Sequence, residues 1–312
     1  MHTILGAGGP VSNALCRQLE QHQHSVRLVS RRPVSSQNSH TSWMKADLLS
    51  YAEVLNAVKG SEVVYLCAGL KYDITVWQQQ WPVVMTNVIN AVKETNTRLI
   101  FFDNVYMYGL VEGEMTEETP YNPISKKGEV RAQIARQLMD EVKAGNLRAS
   151  IARAPDFYGA TDSMNSFFDM MVLTKFSKKQ KAMWLGNPDT LHSFIYVPDA
   201  AKAVYLLGQN PDSDNQTWHL PTAKSLKGRN FITLAAEAFE EKPKFTRVNK
   251  LMLQTLGLFN PTIQGTVEMY YQYQYDYQFN SEKFEKAFKI TAVPYKTGIE
   301  ELSTNFYREK RV

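Results

Sequence analysis

Residues 4–12 read Ile-Leu-Gly-Ala-Gly-Gly-Pro-Val-Ser, an apolar run that breaks into glycines and then enters a helical pattern. The pyrophosphate of a dinucleotide needs backbone N–H groups at a helix N-terminus with no Cβ in the way, and a strand–turn–helix supplies them. Gly6, Gly9, Pro10 and Val11 are therefore the expected phosphate cradle. Ser12 stands at the third small position, where helix and strand must approach closely. A glycine-rich turn without a ligand is the other reading of the same residues.

The second apolar run ends in Ser30-Arg31-Arg32. An NAD site usually places an acidic residue there for the ribose 2′-hydroxyl, and this chain has none. Two guanidiniums suit a 2′-phosphate instead, so NADP is the expected cofactor and NAD the second choice. Asp47-Leu48 follows a short strand and is expected near the adenine. Cys67-Ala68-Gly69 ends another strand with small residues, where a cofactor would pass the sheet edge. Turn chemistry and core packing account equally well for these last two segments.

The elements that position these residues alternate along the first half of the chain. Expected strands are Thr3–Leu5, Val26–Val29, Val63–Leu66, Leu99–Phe102 and Ala149–Ala152. Apolar spacings of three and four predict helices over Val11–Glu20, Tyr51–Val58, Val76–Lys93 and Lys127–Val142. Strands separated by helices imply an α/β fold, a doubly wound parallel sheet covered on both faces. After Arg153 the alternation loosens. A helix is expected around Asn165–Thr174, a strand near Phe194–Val197, a helix over Pro198–Leu207 and a strand at Thr217–Leu220, with a mainly helical remainder. The run Tyr270–Phe279 reads as a half-buried extended segment. The expected division is a Rossmann domain over 1–155 with 191–222, and a smaller, mainly helical substrate lobe over 156–190 and 223–312.

Composition narrows the class. The 312 residues are 44% hydrophobic and 21% charged, ordinary for a globular chain. Thirty-five basic against 31 acidic residues leave a net charge of +4, too small and dispersed to argue for nucleic acid or an anionic membrane. Cys16 and Cys67 do not form a disulfide framework, which points to a reducing, cytoplasmic setting. No segment reaches the ~18 apolar residues that a membrane span needs. The first apolar strand begins almost at Met1, so no leader peptide is expected. The six histidines show no metal spacing, and His192 and His219 read as core or pocket residues.

Further motifs appear in order: Arg-Leu-Ile-Phe-Phe-Asp-Asn-Val-Tyr-Met-Tyr-Gly at 98–109, Glu-Glu-Thr-Pro-Tyr-Asn-Pro at 117–123, Arg-Ala-Pro-Asp-Phe-Tyr-Gly at 153–159, and Phe-Ile-Tyr-Val-Pro-Asp at 194–199. With the glycine-rich turn, they resemble the extended, sugar-nucleotide epimerase/dehydratase-like branch of the short-chain dehydrogenase/reductase superfamily over nearly the whole chain. The resemblance implies an NAD(P)-binding Rossmann fold and a small-molecule substrate with a carbonyl or hydroxyl group. It places Pro155 and Phe157 beside the cofactor. It also implies a monomer or a homodimer paired through the two long helices.

The family's catalytic set is replaced in this sequence. Its Tyr-x-x-x-Lys pair puts both side chains one helical turn apart, facing the nicotinamide ribose. Counted from Asn122-Pro123, those positions hold Lys127 and Arg131, and the family's Ser/Thr position holds Asn104. Arg131 can still meet the ribose hydroxyls. Lys127 serves as a base only where burial and neighbouring cations hold it neutral; otherwise it is a solvated or phosphate-binding lysine. Asn104 can donate from its amide to a carbonyl oxygen. Tyr106 takes the position of the dehydratase glutamate and, by period-two alternation, shares a face with Asn104. It is either a proton-transferring phenol or an aromatic wall of the pocket. Two functions follow: an NADP-dependent oxidoreductase or epimerase-like enzyme with a rearranged site, or a non-catalytic NADP-binding redox sensor or regulatory protein.

Overall fold

The computed structural model describes residues 1–160, 166–258 and 260–307. The chain forms two compact units. The first comprises Met1–Met107, Lys126–Ala154 and Ala200–Leu220; the second comprises Tyr108–Ser125, Pro155–Asp199 and Pro221–Val312.

Seven strands build the first unit: β1 (His2–Leu5), β2 (Val26–Ser30), β3 (Thr41–Lys45), β4 (Val63–Leu66), β5 (Arg98–Asp103), β6 (Ala149–Arg153) and β7 (Thr217–His219). They pair in the order β7-β6-β5-β4-β1-β2-β3, and every pairing is parallel. The central strands are buried along their length, as in β4, whose Val63, Val64, Tyr65 and Leu66 are all inaccessible. Strands covered on both faces read as continuous apolar runs, which is why the sequence exposes them. The order reverses beside β1, where β4 lies on one side and β2 on the other. In open α/β sheets ligands bind outside the carboxyl ends of the strands at such a reversal.

The helices α1 (Pro10–Gln21), α2 (Tyr51–Val58), α3 (Ile74–Thr95) and α4 (Lys126–Lys143) lie within a residue or two of the periodic stretches. Caps set the remaining differences. Asp73 accepts from the N–H groups of Thr75 and Val76, so α3 starts ahead of its apolar stripe. Asn96 closes α3 in the left-handed region, with φ of 49°. α3 and α4 are also joined by the Lys93–Glu141 ion pair at 2.8 Å.

The second unit is mainly helical, with short two-stranded pairs. Asp156–Tyr158 pairs with Phe194–Tyr196, and Ala182–Leu185 with Phe245–Val248. Its core is aromatic, built around Phe168, Trp184, Phe194, Phe231, Tyr273 and Tyr295. The helix expected from Asn165 is a π turn over Asp169–Leu173 followed by Thr174–Ser177; Asn165 itself lies outside the described residues. The extended reading of Tyr270–Phe279 is corrected: Tyr271–Gln274 is helical, and only Gln278–Phe279 is a strand. Tyr273 is drawn inward there, donating to Asp156 Oδ2 at 2.5 Å and stacking on His192. Alternating tyrosines marked a buried helical turn rather than one face of a strand.

Candidate active site

The turn between β1 and α1 is shaped by its glycines. Gly6 has φ +85°, and a Cβ there would lie 2.3 Å from Ala68 Cα, inside the backbone that follows β4. Gly8, which the spacing argument passed over, has φ +101°. L side chains avoid that region, so its preference for glycine is conformational. The N–H groups of Gly6 and Ala7 both donate to Val29 O at 3.0 Å, and Cys67 N donates to Leu5 O at 2.9 Å. The turn is thereby tied to β2, and the start of the 67–69 segment to β1.

Gly9 caps α1 and Pro10 opens it, where a missing N–H costs nothing. Ser12 does more than stay small. Its hydroxyl accepts from Gly9 N at 2.9 Å and donates back to Gly9 O at 2.8 Å, closing the turn. Thus Gly6 and Ala68 meet beyond the carboxyl ends of β1 and β4, with Gly9, Pro10 and Val11 carrying the turn into α1 and Cys67 and Gly69 flanking Ala68 in the chain. The Cys67 thiol is desolvated although the residue is partly accessible, and that burial pushes it up to about 12.

Arg31 and Arg32 follow β2, both exposed, and neither forms an ion pair among the described residues. Their turn is fixed by Ser30, whose hydroxyl donates to Arg32 O and accepts from Trp43 Nε1 at 3.0 Å. The Asp47 carboxylate accepts from Leu49 N at 3.0 Å, and Leu48 O accepts from Asn87 Nδ2 at 3.0 Å. Both residues shape the entry to α2.

At the ends of β5 and β6 lies a buried charge cluster. Arg131, from α4, donates through Nε to Asp103 Oδ1 at 2.7 Å and through a second nitrogen to the same oxygen. Arg153 Nε stands 3.6 Å from Asp103 Oδ2. The Arg131 guanidinium also lies over Trp81 (4.5 Å), Phe101 (5.0 Å) and Trp77 (5.8 Å). One carboxylate between two guanidiniums is costly to bury and costlier to break. Asp103 was not singled out in the sequence, although Phe-Phe-Asp-Asn at a strand end is the signal that marks it.

Beside this cluster, Asn104 and Tyr106 are half-buried while Asp103, Val105 and Met107 are buried. The shared face is not that of a strand. β5 ends at Asp103, and Tyr106–Tyr108 is a 3-10 turn. Asn104 Oδ1 shapes that turn by accepting from Tyr106 N at 3.1 Å. Lys127 is wholly buried, with Nζ 4.4 Å from the centre of the Tyr72 ring. The Tyr72 and Tyr106 hydroxyls stand 3.4 Å apart. Tyr72 carries no spacing signal in the sequence; the fold alone brings it to Lys127 and Tyr106. Pro155 and Phe157 belong to the second unit, Phe157 within the Asp156–Tyr158 strand. His192, also in the second unit, lies between Tyr273 and Tyr277, with Nε2 3.2 Å from Asp156 Oδ2.

Among the described residues no His, Cys, Asp and Glu group is arranged to hold a metal, and no helix is long and apolar enough to cross a membrane. In sequence, the chain is 22% identical over 270 residues to the sterol-4-alpha-carboxylate 3-dehydrogenase (decarboxylating) of Dictyostelium discoideum, covering 81% of this chain and 79% of that protein. In structure it is similar to a double mutant of the dTDP-glucose 4,6-dehydratase DesIV of Streptomyces venezuelae solved with NAD. The TM-score is 0.80 at 12% identity, covering 100% of this chain and 98% of that one. The UDP-glucose 4-epimerase of Thermus thermophilus in complex with NAD gives a TM-score of 0.79 at 15% identity, with 99% of each chain covered. Residues 2–220 match the profile of the NAD dependent epimerase/dehydratase family. That span contains all seven strands and the glycine turn at their reversal, and the chain belongs to the NAD dependent epimerase/dehydratase family.

Proposed function

We propose that this protein is an NAD(P)-dependent oxidoreductase or epimerase-like enzyme that prefers NADP and acts on a carbonyl or hydroxyl substrate. The observation that carries the reading is the Gly6 turn, where a single added carbon would fall 2.3 Å from Ala68 Cα at the sheet's reversal point. Gly6, Gly9, Pro10 and Val11 hold the pyrophosphate at the start of α1. Cys67, Ala68 and Gly69 form the small-residue wall, and Asp47 and Leu48 border the adenine.

Arg31 and Arg32 favour the 2′-phosphate because they are exposed and carry no competing carboxylate. The bound nicotinamide supplies a hydride acceptor or donor. The chain must then move a proton at the substrate oxygen. Asn104 orients that oxygen through its amide, Tyr106 offers a phenol, and Lys127 supplies positive charge beneath them. Arg131 supports this floor through Asp103 rather than reaching outward, because its guanidinium is engaged in the buried pair.

Dissociation constants for NADPH and NADH, read by cofactor fluorescence, test the cofactor assignment. NADPH is expected to bind more tightly, with the advantage lost in Arg31→Ala/Arg32→Ala; equal affinities unmoved by those substitutions refute it. Incubation with NADPH and a panel of carbonyl compounds and sugar nucleotides tests the activity, and the names of the similar proteins justify including sugar nucleotides. The Asp103–Arg131 pair favours one second reading, a non-catalytic NADP-binding regulator, because it occupies the guanidinium that stands in the family's lysine position. An NADP-dependent partner complex that survives Lys127→Met and Tyr106→Phe, with no turnover on the panel, would select it.

A further inference from the structure

We propose that Tyr72 is a proton-transferring residue of this site, sustained by Lys127 and coupled to Tyr106. The inference rests on the enzyme reading above and adds a residue that none of the sequence motifs contains. The segment that follows β4 touches the cradle at Ala68 and reaches Tyr72 four residues later. One short connection thus links the Gly6 turn to the Lys127 group.

The ring is held from several sides. Trp77 meets Tyr72 edge-on at 5.8 Å and stacks on Tyr106 at 6.2 Å. Trp77 Nε1 donates to Lys71 O at 3.0 Å, and Asp73 caps α3 immediately after Tyr72. The phenol therefore sits on fixed backbone, yet the residue is only half-buried, so a small molecule can reach it.

Charge gives the phenol its chemistry. Lys127 Nζ lies over the ring face, 4.4 Å from its centre, in a position closed to solvent. A phenolate spreads negative charge into its ring, so an ammonium against the face stabilises the ionised form. The 3.4 Å between the Tyr72 and Tyr106 hydroxyls is long for a hydrogen bond, and such contacts tighten when a ligand binds.

In the oxidising direction the substrate O–H bond breaks and its proton goes to the Tyr72 phenolate oxygen. The hydride on the same carbon passes to oxidised nicotinamide, and C–O becomes C=O. In reduction the reduced nicotinamide would supply the hydride, the Tyr72 hydroxyl delivers the proton to the forming alkoxide, Tyr106 passes its own proton to Tyr72, and solvent water reprotonates the half-buried Tyr106.

The test is a pH titration of the full-length protein labelled with [13Cζ]tyrosine. Loss of one resonance in Tyr72→Phe and of another in Tyr106→Phe assigns both. Tyr72 is expected to ionise below the ordinary tyrosine value of about 10. In Lys127→Met its midpoint should rise by about one pH unit or more. Tyr106→Phe, which leaves the buried lysine in place, should also move it, so the relay is tested even if Lys127→Met does not fold. A Tyr72 that ionises at the ordinary value and ignores its neighbours overturns the proposal. NADPH affinity measured on the same proteins separates the two claims. Wild-type protein that fails to bind NADPH while Tyr72 still responds to Lys127 refutes the cofactor reading alone. Normal binding with an unresponsive Tyr72 refutes the relay alone.

Discussion

Gly6 combines a φ of +85° with a virtual Cβ 2.3 Å from Ala68 Cα, so Gly6→Ala must distort either the turn or the segment after β4. The expected loss is about 2–4 kcal/mol of stability, from the left-handed backbone and the overpacking together. Urea denaturation measures it, and NADPH fluorescence should show binding lost even where the variant is folded. Asp103 presents the opposite case, a buried carboxylate whose removal takes away the hydrogen-bond partner of the Arg131 guanidinium and the nearby negative charge beside Arg153. Asp103→Ala should cost about 3–5 kcal/mol, and Asp103→Asn less, because the amide oxygen still accepts from Asn104 N. At this scale the sequence showed where Arg131 sits on its helix but not what it grips. The partner lies 28 residues away, and helical spacing reports only on neighbours one turn away.

Among the elements, α3 shows how far periodicity reaches. Its apolar stripe located the helix body, and the cap that starts it is a single side chain at Asp73. Asp73→Ala should lower stability by about 0.5–2 kcal/mol, visible in the urea midpoint. It should also loosen the backbone beside Tyr72, visible as faster amide exchange over residues 74–77. The central strands of the first unit were legible because both their faces are buried, whereas the edge strand β3, with no buried residue, showed only as a short run ahead of Asp47. In the second unit the apolar run at Phe194–Tyr196 was legible, but its partner Asp156–Tyr158 and the pair Ala182–Leu185 with Phe245–Val248 were not, because three or four residues carry too little pattern. In Tyr270–Phe279 the pattern misled, since Tyr273 turns toward Asp156 and His192 instead of alternating.

Across the whole molecule, two buried groups, one in each unit, respond to acid in opposite directions. Burial, assisted by His24, the N-terminus and Arg98, lowers His2 in the first unit from 6.5 to about 4. A group lowered in this way holds its proton less tightly when folded. Its stabilising contribution is present above 6.5 and lost as pH falls through about 4. In the second unit burial raises Asp169 from 3.8 to about 6, opposed by hydrogen bonds from Gly159, Ala160 and Ser166. Its contribution is present below 3.8 and lost as pH rises through about 6. Amide exchange compared between about pH 4.5 and pH 7 should show the first unit weakened by acid, a trend reduced in His2→Gln. The second unit should lose part of its alkaline-side weakening in Asp169→Asn.

The sequence by itself determined the alternating elements, the glycine turn with its arginine pair, and family membership, because each is written in residues close together along the chain. The tertiary structure decided which distant side chains share a charge or a proton: Asp103 with Arg131 and Arg153, and Tyr72 with Lys127 and Tyr106. Those pairings depend on which strand ends and helix faces meet, and that is fixed by strand order and packing rather than by local spacing.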